Sequence, residues 1–194
     1  MKRHYEFVVM LDSSLGRDEH AKLVSDIESF FSSNISKKDD IGLLDTLLIK
    51  TQRKDKFFFL SYFCELEPAS IMEIKKKLSI MKGVVRFFFY QMGTQEPFFL
   101  FQELQDQFTS DHEEKKWIFA EMGRGIIRKA KDFFDQGDNE RYITWKALPL
   151  LKKYMTRFGE IKPRKYTWNS VLHQKKIKQA IIRARELGLL HYIK

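Results

Sequence analysis

The stretch Lys56–Phe63 reads KFFFLSYF, with four Phe, one Tyr and one Leu. Alternate side chains of a strand point to opposite faces, so a strand with one wet side alternates apolar with polar residues. Here neither face is polar. Phe57, Phe59 and Phe63 share one face, Phe58, Leu60 and Tyr62 the other. Val84–Met92, VVRFFFYQM, repeats the pattern, with Val85, Phe87 and Phe89 opposing Phe88 and Tyr90. A fold that contains two such strands must cover both sides of its sheet.

The surrounding sequence says what covers the first side. Tyr5, Phe7, Val9 and Leu11 alternate over residues 4–11 as in a strand. After the turn Asp12–Gly16, Asp18 is placed to cap a helix whose apolar residues are Ala21, Leu23, Val24, Ile27, Phe30 and Phe31. That helix is expected to end near Ser32–Asn34. A second strand is expected over 39–51, a charged turn over 52–56, and the return strand of a hairpin over 57–66. Pro68 opens a second helix, with Ile71, Ile74, Lys75 and Leu78 on one side, and Gly83 ends it before the fourth strand. Strand, helix, strand, strand, helix, strand is the ferredoxin-like, split βαβ order of an α+β domain. Both helices then cover one face. The other face is expected to meet a partner carried by the same chain, with Phe57, Phe59, Tyr62, Phe88 and Tyr90 as the interdomain residues. The competing expectation is that edge loops and the 97–101 segment, PFFLF, fold over and seal it.

Charge locates that partner. The chain has 194 residues and a net charge of +9. Residues 142–194 hold 13 Lys and Arg against 2 Asp and Glu, so the rest of the chain is slightly acidic. Such asymmetry points to two units, one facing a polyanion. The expected division is a ferredoxin-like domain over 1–101, a linker with a basic arm over 102–141, and a small basic all-helical domain over 142–194. The arm carries Arg124, Arg128, Lys129 and Lys131, and Trp117–Phe134 is a candidate helix. In the last unit Trp145–Phe158 reads as a helix, with Pro149 in its first turn and Gly159 ending it. Ser170 is placed to cap a final helix striped by Ile177, Ala180, Ile181, Ala184, Leu187 and Gly188. Two helices in about fifty residues give a thin core that needs support.

Few function classes survive a search for chemistry. The single Cys64 excludes an internal disulfide and a Cys-based zinc cluster, and fits a reducing compartment. The segment Met1–Leu11 lacks the apolar run of a signal peptide, and no stretch approaches a membrane span. There is no Gly-rich phosphate loop and no nucleophile elbow, and the five His have no metal-ligand spacing. Asp39-Asp40 reads as a solvated pair, and His173 as a residue facing solvent or RNA. No catalysis, metal, cofactor, membrane or small-molecule substrate is expected.

The cations are more informative. Phosphate binding needs Lys and Arg on a rigid support. The loop Lys162-Pro-Arg-Lys165 followed by a helix with Lys175, Lys176, Lys178, Arg183 and Arg185 meets that need. Tyr166 and Trp168 have two open roles, stacking on unpaired bases or packing the core of a small unit.

At this point the residues point to known families. YITWKALPLLKKYMTRFGEIKPRKYT and HQKKIKQAIIRARELGLLHYI, within 142–193, resemble bacterial small-subunit ribosomal protein eighteen. Gly159, Ile161, Pro163, Arg164, Gln174, Ala180, Ile181, Arg183, Ala184, Arg185, Leu189 and Leu190 fit its pattern. The chain departs from that family at Trp168-Asn169, where a Gly-Thr-type pair is usual, and at His191, where Pro is usual. Residues 1–100 resemble small-subunit ribosomal protein six through RHYEFVVML, Gly42-Leu43, the aromatic hairpin strand, VVRFFFYQ and a closing Glu-Pro-Phe. That family's basic run after Gly-Leu is replaced here by LDTLLIK.

The two resemblances imply a fusion of partners that form a heterodimer on the small-subunit platform, bound to the central domain of its RNA. Met122-Gly-Arg would mark the former start of the second protein. Small-subunit ribosomal RNA and neighbouring small-subunit proteins are the implied partners, on ribosomes in the cytoplasm. The implied RNA contacts are Arg157, Lys162, Arg164, Lys165, Lys175, Lys176, Arg183 and Arg185, with Lys2 and Arg3 at the head of the first strand. An RNA-recognition-type protein acting outside the ribosome is the alternative, and a small ferredoxin-like enzyme a third reading that lacks its phosphate loop.

Overall fold

The structure is a computed structural model that describes residues 2–31, 34–47, 56–93, 96–109, 132–135 and 138–192. The chain divides into two compact units, Met1–Phe98 and Phe99–Lys194.

The first unit runs β1 (Arg3–Asp12), α1 (Arg17–Phe31), β2 (Ile35–Asp45), β3 (Lys56–Leu66), α2 (Pro68–Ile80) and β4 (Val84–Gln91). Its sheet has the order β2-β3-β1-β4, with every neighbouring pair antiparallel. This is the split βαβ arrangement expected from the element order. The second strand starts at Ile35, earlier than residue 39, and stops at Asp45. Residues 48–55, which hold the end of the expected strand and most of the expected turn, lie outside the described residues. β2 shifts register against β3 between Asp40 and Gly42, and Gly42 takes φ 81° there. Glycine enters that left-handed region without strain, so the extra residue of the bulge is absorbed at Gly42.

Register decides which face each side chain takes. Phe7 lies opposite both Tyr62 and Phe89. These three join Tyr5, Val9, Leu11, Leu60 and Cys64 in one core, completed by Leu23, Ile27 and Phe31 of α1 and Ile71, Ile74 and Leu78 of α2. The Phe7 ring lies tilted against Phe31 at 4.8 Å and Phe89 at 4.7 Å between centroids. Each such buried ring contributes about 1.5–3 kcal/mol over its exposed state.

Tyr62 departs from the interdomain expectation. Tyr62 belongs to the helix side, its hydroxyl donating to Glu28 Oε1 of α1 at 3.2 Å. The even-numbered positions of β3 face the helices, so Tyr62 cannot share a surface with Phe57 and Phe59. On the face away from the helices stand Val8, Met10, Phe57, Phe59, Phe63, Phe88 and Tyr90, around a Ser61 hydroxyl that donates to Glu6 Oε1 at 2.9 Å. Phe98, from the segment expected to fold over, lies 5.9 Å from Phe63 at this face.

The second unit begins with a helix, α3, over 101–109, where a linker was expected. Phe101, Leu104 and Phe108 recur at helical spacing, and Phe108 meets the Tyr142 ring at 5.6 Å. Gln105 donates to Lys146 O at 2.7 Å, and Lys146 Nζ to Phe99 O at 3.0 Å. These bonds make α3 part of the helical unit. Short 3-10 turns follow at Phe133–Asp135 and Asn139–Tyr142. The basic arm, the candidate helix from Trp117 up to residue 131, and Met122-Gly-Arg lie outside the described residues.

Three helices complete the unit: α4 (Leu148–Lys153), α5 (Arg164–Thr167) and α6 (Val171–Glu186). Where a helix over Trp145–Phe158 was expected, α4 is only six residues long. Pro149 sets its first turn, and Tyr154 leaves helical geometry so that Met155 can pair with Ile161. The Ser170 hydroxyl caps α6 by accepting from His173 N at 3.1 Å. Ile177, Ala180, Ile181 and Ala184 form its buried stripe.

Candidate nucleic-acid interface

The expected phosphate contacts of the second unit sit on a scaffold of short loops tied to α6. Between Met155 and Ile161 the chain makes a tight turn, closed by Thr156 N donating to Glu160 O at 2.8 Å. Arg157 is exposed at the tip of this turn, its guanidinium 4.6 Å from the Phe158 ring. Gln174 of α6 fastens the next segment: its Nε2 donates to Lys162 O at 2.9 Å, and its Oε1 accepts from Thr167 Oγ1 at 3.3 Å. The loop Lys162–Ser170 is therefore held from within its own unit.

The cations divide into those offered to solvent and those used internally. Arg157, Arg164, Lys165, Lys175 and Lys176 are exposed. Arg164 keeps one bond to the loop, from Nε to Asn169 O at 3.0 Å. Lys176 reaches Glu140 Oε1 at 2.6 Å, and its hydrogen bond is the main reason that the Glu140 carboxyl sits below the usual range. Lys162 is half-buried and donates to Lys153 O at 2.8 Å. Arg183 is half-buried as well. In the first unit, Lys2 and Arg3 are exposed at the head of β1, with Lys2 Nζ 3.5 Å from Asn34 Oδ1.

Arg185 differs from the expectation. Its side chain is buried, Nη2 donating to Gly159 O and Nε to His191 O at 3.1 Å. The guanidinium is spent on main-chain carbonyls, and its Cζ lies 5.7 Å from the centroid of the Tyr192 ring. It holds the end of the chain against the Gly159 turn.

His173 also differs, because it is buried. Its Nδ1 is 2.8 Å from Asp132 Oδ2, which also accepts from Ser170 N at 2.6 Å. With its amide nitrogen turned inward, Asn169 donates to Asp132 Oδ1 at 3.3 Å. Asp132 thus anchors both the loop and the start of α6. Asp132 and Asp135 with His173 have donor atoms close enough to surround a cation, but His173 is already committed to Asp132. Beyond a local bond from Phe134 N at 3.0 Å, the partners that give Asp132 its role, Ser170 and His173, are 38 and 41 positions away, so no sequence pattern marks it.

This arrangement suits a phosphate backbone: a pinned main chain presents exposed cationic side chains. Several known proteins are similar to parts of this chain. Among solved structures, the 30S ribosomal protein S6 from Thermotoga maritima is similar at 11% identity and a TM-score of 0.43, covering 47% of this chain and 89% of that one. Small ribosomal subunit protein bS18 of Mycoplasma capricolum subsp. capricolum is 42% identical over 66 residues, 34% of this chain and 87% of that protein. The bS18 protein of Lactobacillus acidophilus is 35% identical over 74 residues, 38% of this chain and 95% of that protein. The model of the family described as Ribosomal protein S18 matches residues 139–190, the stretch that carries the exposed cations of the second unit. Through that stretch the chain belongs to the ribosomal protein S18 family.

Proposed function

We propose that this chain is a non-catalytic constituent of the small ribosomal subunit, a fusion of an S6-like unit with an S18 unit that docks on it and grips small-subunit ribosomal RNA. The family supports the ribosomal assignment, and neighbouring small-subunit proteins are its further partners, in the cytoplasm. Among the described residues no helix is long and apolar enough to cross a membrane. The observation that carries the RNA-binding part is the exposed set Arg157, Arg164, Lys165 and Lys175 on the pinned loop and α6. The contact region is the central domain of the RNA, at the platform.

Docking is supported by the two-faced strands. Phe57, Phe59, Phe88 and Tyr90 stand on the sheet face away from the helices, and that much apolar surface requires a cover. A tether would hold the second unit at an effective concentration in the roughly millimolar range.

RNA binding is tested by titrating the full chain against a central-domain RNA fragment over a series of salt concentrations. Replacing Lys165 or Lys175 by Ala should weaken binding and lower the log–log salt slope by about one per residue. An unchanged slope in both variants removes those contacts. Docking is tested by Phe59→Asp, which should increase the radius of gyration in small-angle scattering while the circular dichroism of both units persists. An unchanged radius contradicts it.

A further inference from the structure

Trp168 takes φ 58° and ψ 13°, and among the described residues it is the only one besides glycine with positive φ. A tryptophan in this region is strained, where glycine would not be. The strain is imposed from both sides. Trp168 N donates to Arg164 O at 2.8 Å, Arg164 Nε to Asn169 O at 3.0 Å, and Ser170 N to Asp132 Oδ2 at 2.6 Å. Burial does not offset it, because Trp168 is 41% exposed. Tyr166, one residue away from the same turn, is 67% exposed, with Lys165 Nζ 4.9 Å from its ring. Neither ring packs the core, so that open role is closed.

A strained residue held rigidly with its ring in solvent is an arrangement that a bound ligand explains. The chemistry around it selects the ligand. Residues 161–185 contain eight Lys and Arg and no Asp or Glu. Arg164 and Lys165, adjacent to Tyr166 in sequence, are exposed, and Lys165 already lies over the Tyr166 ring. Flat π faces flanked by cations suit unpaired bases joined by phosphates. Val171 and Leu172, in the first turn of α6, are exposed as well. A protein partner would use the same rings, but the density of positive charge favours a polyanion.

We propose that Tyr166 and Trp168 form a stacking platform for unpaired bases of an RNA strand, with Arg164 and Lys165 on the flanking phosphates. This rests on the RNA-binding reading above and adds the class of RNA element bound.

The test uses the full chain, with fluorescence anisotropy on a short labelled oligoadenylate and on a blunt RNA duplex of the same length. The unsubstituted chain binds the single strand more tightly. Trp168→Gly removes the ring and relieves the backbone, so its thermal midpoint does not fall. Its affinity for oligoadenylate drops about tenfold, with duplex affinity unchanged. The salt slope also stays the same, since no charge is lost, whereas Lys165→Ala lowers it. Trp168→Phe keeps most of the affinity. Equal oligoadenylate affinity in Trp168→Gly overturns the platform while leaving the RNA-binding reading intact. So does a variant that loses only self-association in sedimentation, which would assign the rings to a protein contact. No binding of any RNA by the unsubstituted chain overturns both.

Discussion

Asp132 Oδ2 and His173 Nδ1 meet at 2.8 Å inside the helical unit, so an acid just before the family-matched stretch closes on a histidine inside it. Burial opposes ionisation of Asp132, but hydrogen bonds from His173, Ser170 and Phe134 outweigh it and hold the carboxyl below its usual range. A depressed carboxyl contributes stability above its unfolded pKa, about 3.9, and loses it as pH falls through the lower folded value. Asp132→Asn should therefore cost roughly 1–3 kcal/mol at neutral pH. The gap between variant and parent should close as pH falls below about 4. Denaturant titrations at neutral and acidic pH check this. A gap independent of pH contradicts the role given to the charge.

Arg185 and Lys175 lie on the same helix and should fail in opposite ways. Arg185 is buried on two carbonyls, whereas Lys175 is exposed. Arg185→Ala strands Gly159 O and His191 O and should lower stability by roughly 1–3 kcal/mol. In the fraction that stays folded, the salt slope of RNA binding should not change. Lys175→Ala should do the reverse, with unfolding unaltered and the slope lower by about one. Thermal melts and salt titrations on both variants read the two effects separately.

Gly159 turns the chain where its C-terminal end passes closest. It takes φ 91°, and a Cβ there would sit 2.7 Å from Tyr192 O. Gly159→Ala combines a left-handed alanine, worth about 1–2 kcal/mol, with a clash against main chain. The melting temperature of the helical unit should drop by at least several degrees. A melt within a degree of the parent would show that the end of the chain moves aside freely.

Cys64 reports on the sheet. It is buried in the helix-side core, and burial first, then the nearby Glu6 charge, push its thiol up to about 12. Only thiolate reacts, so the native chain should resist an aromatic disulfide reagent at mildly alkaline pH. Reaction should wait for unfolding of the first unit, with a rate that follows added denaturant. Immediate reaction would place the thiol at the surface.

The parity of Tyr5, Phe7, Val9 and Leu11 was legible in the sequence, and so were the hairpin and the strand–helix order, because period-two patterning and turn residues are local. The Ser170 cap was legible for the same reason. Tyr62 was misassigned although its parity already set it on the face opposite Phe57 and Phe59; what pattern alone does not say is which of two apolar faces receives the helices. Arg185 was readable as a cation beside the stripe of α6, but not as one turned inward, since Gly159 O is 26 positions away. α3 was hidden among the acidic residues that follow Phe101. Its three apolar anchors are spaced for a helix, and a partner that Phe108 meets, Tyr142, lies 34 positions on.

The most direct test of the account is quantitative mass spectrometry of this chain across a high-salt sucrose gradient of ribosomes from its native cells. The account predicts the chain in the small-subunit fraction, in amounts matching other proteins of that subunit. Its presence only in the soluble fraction at the top of the gradient would contradict it.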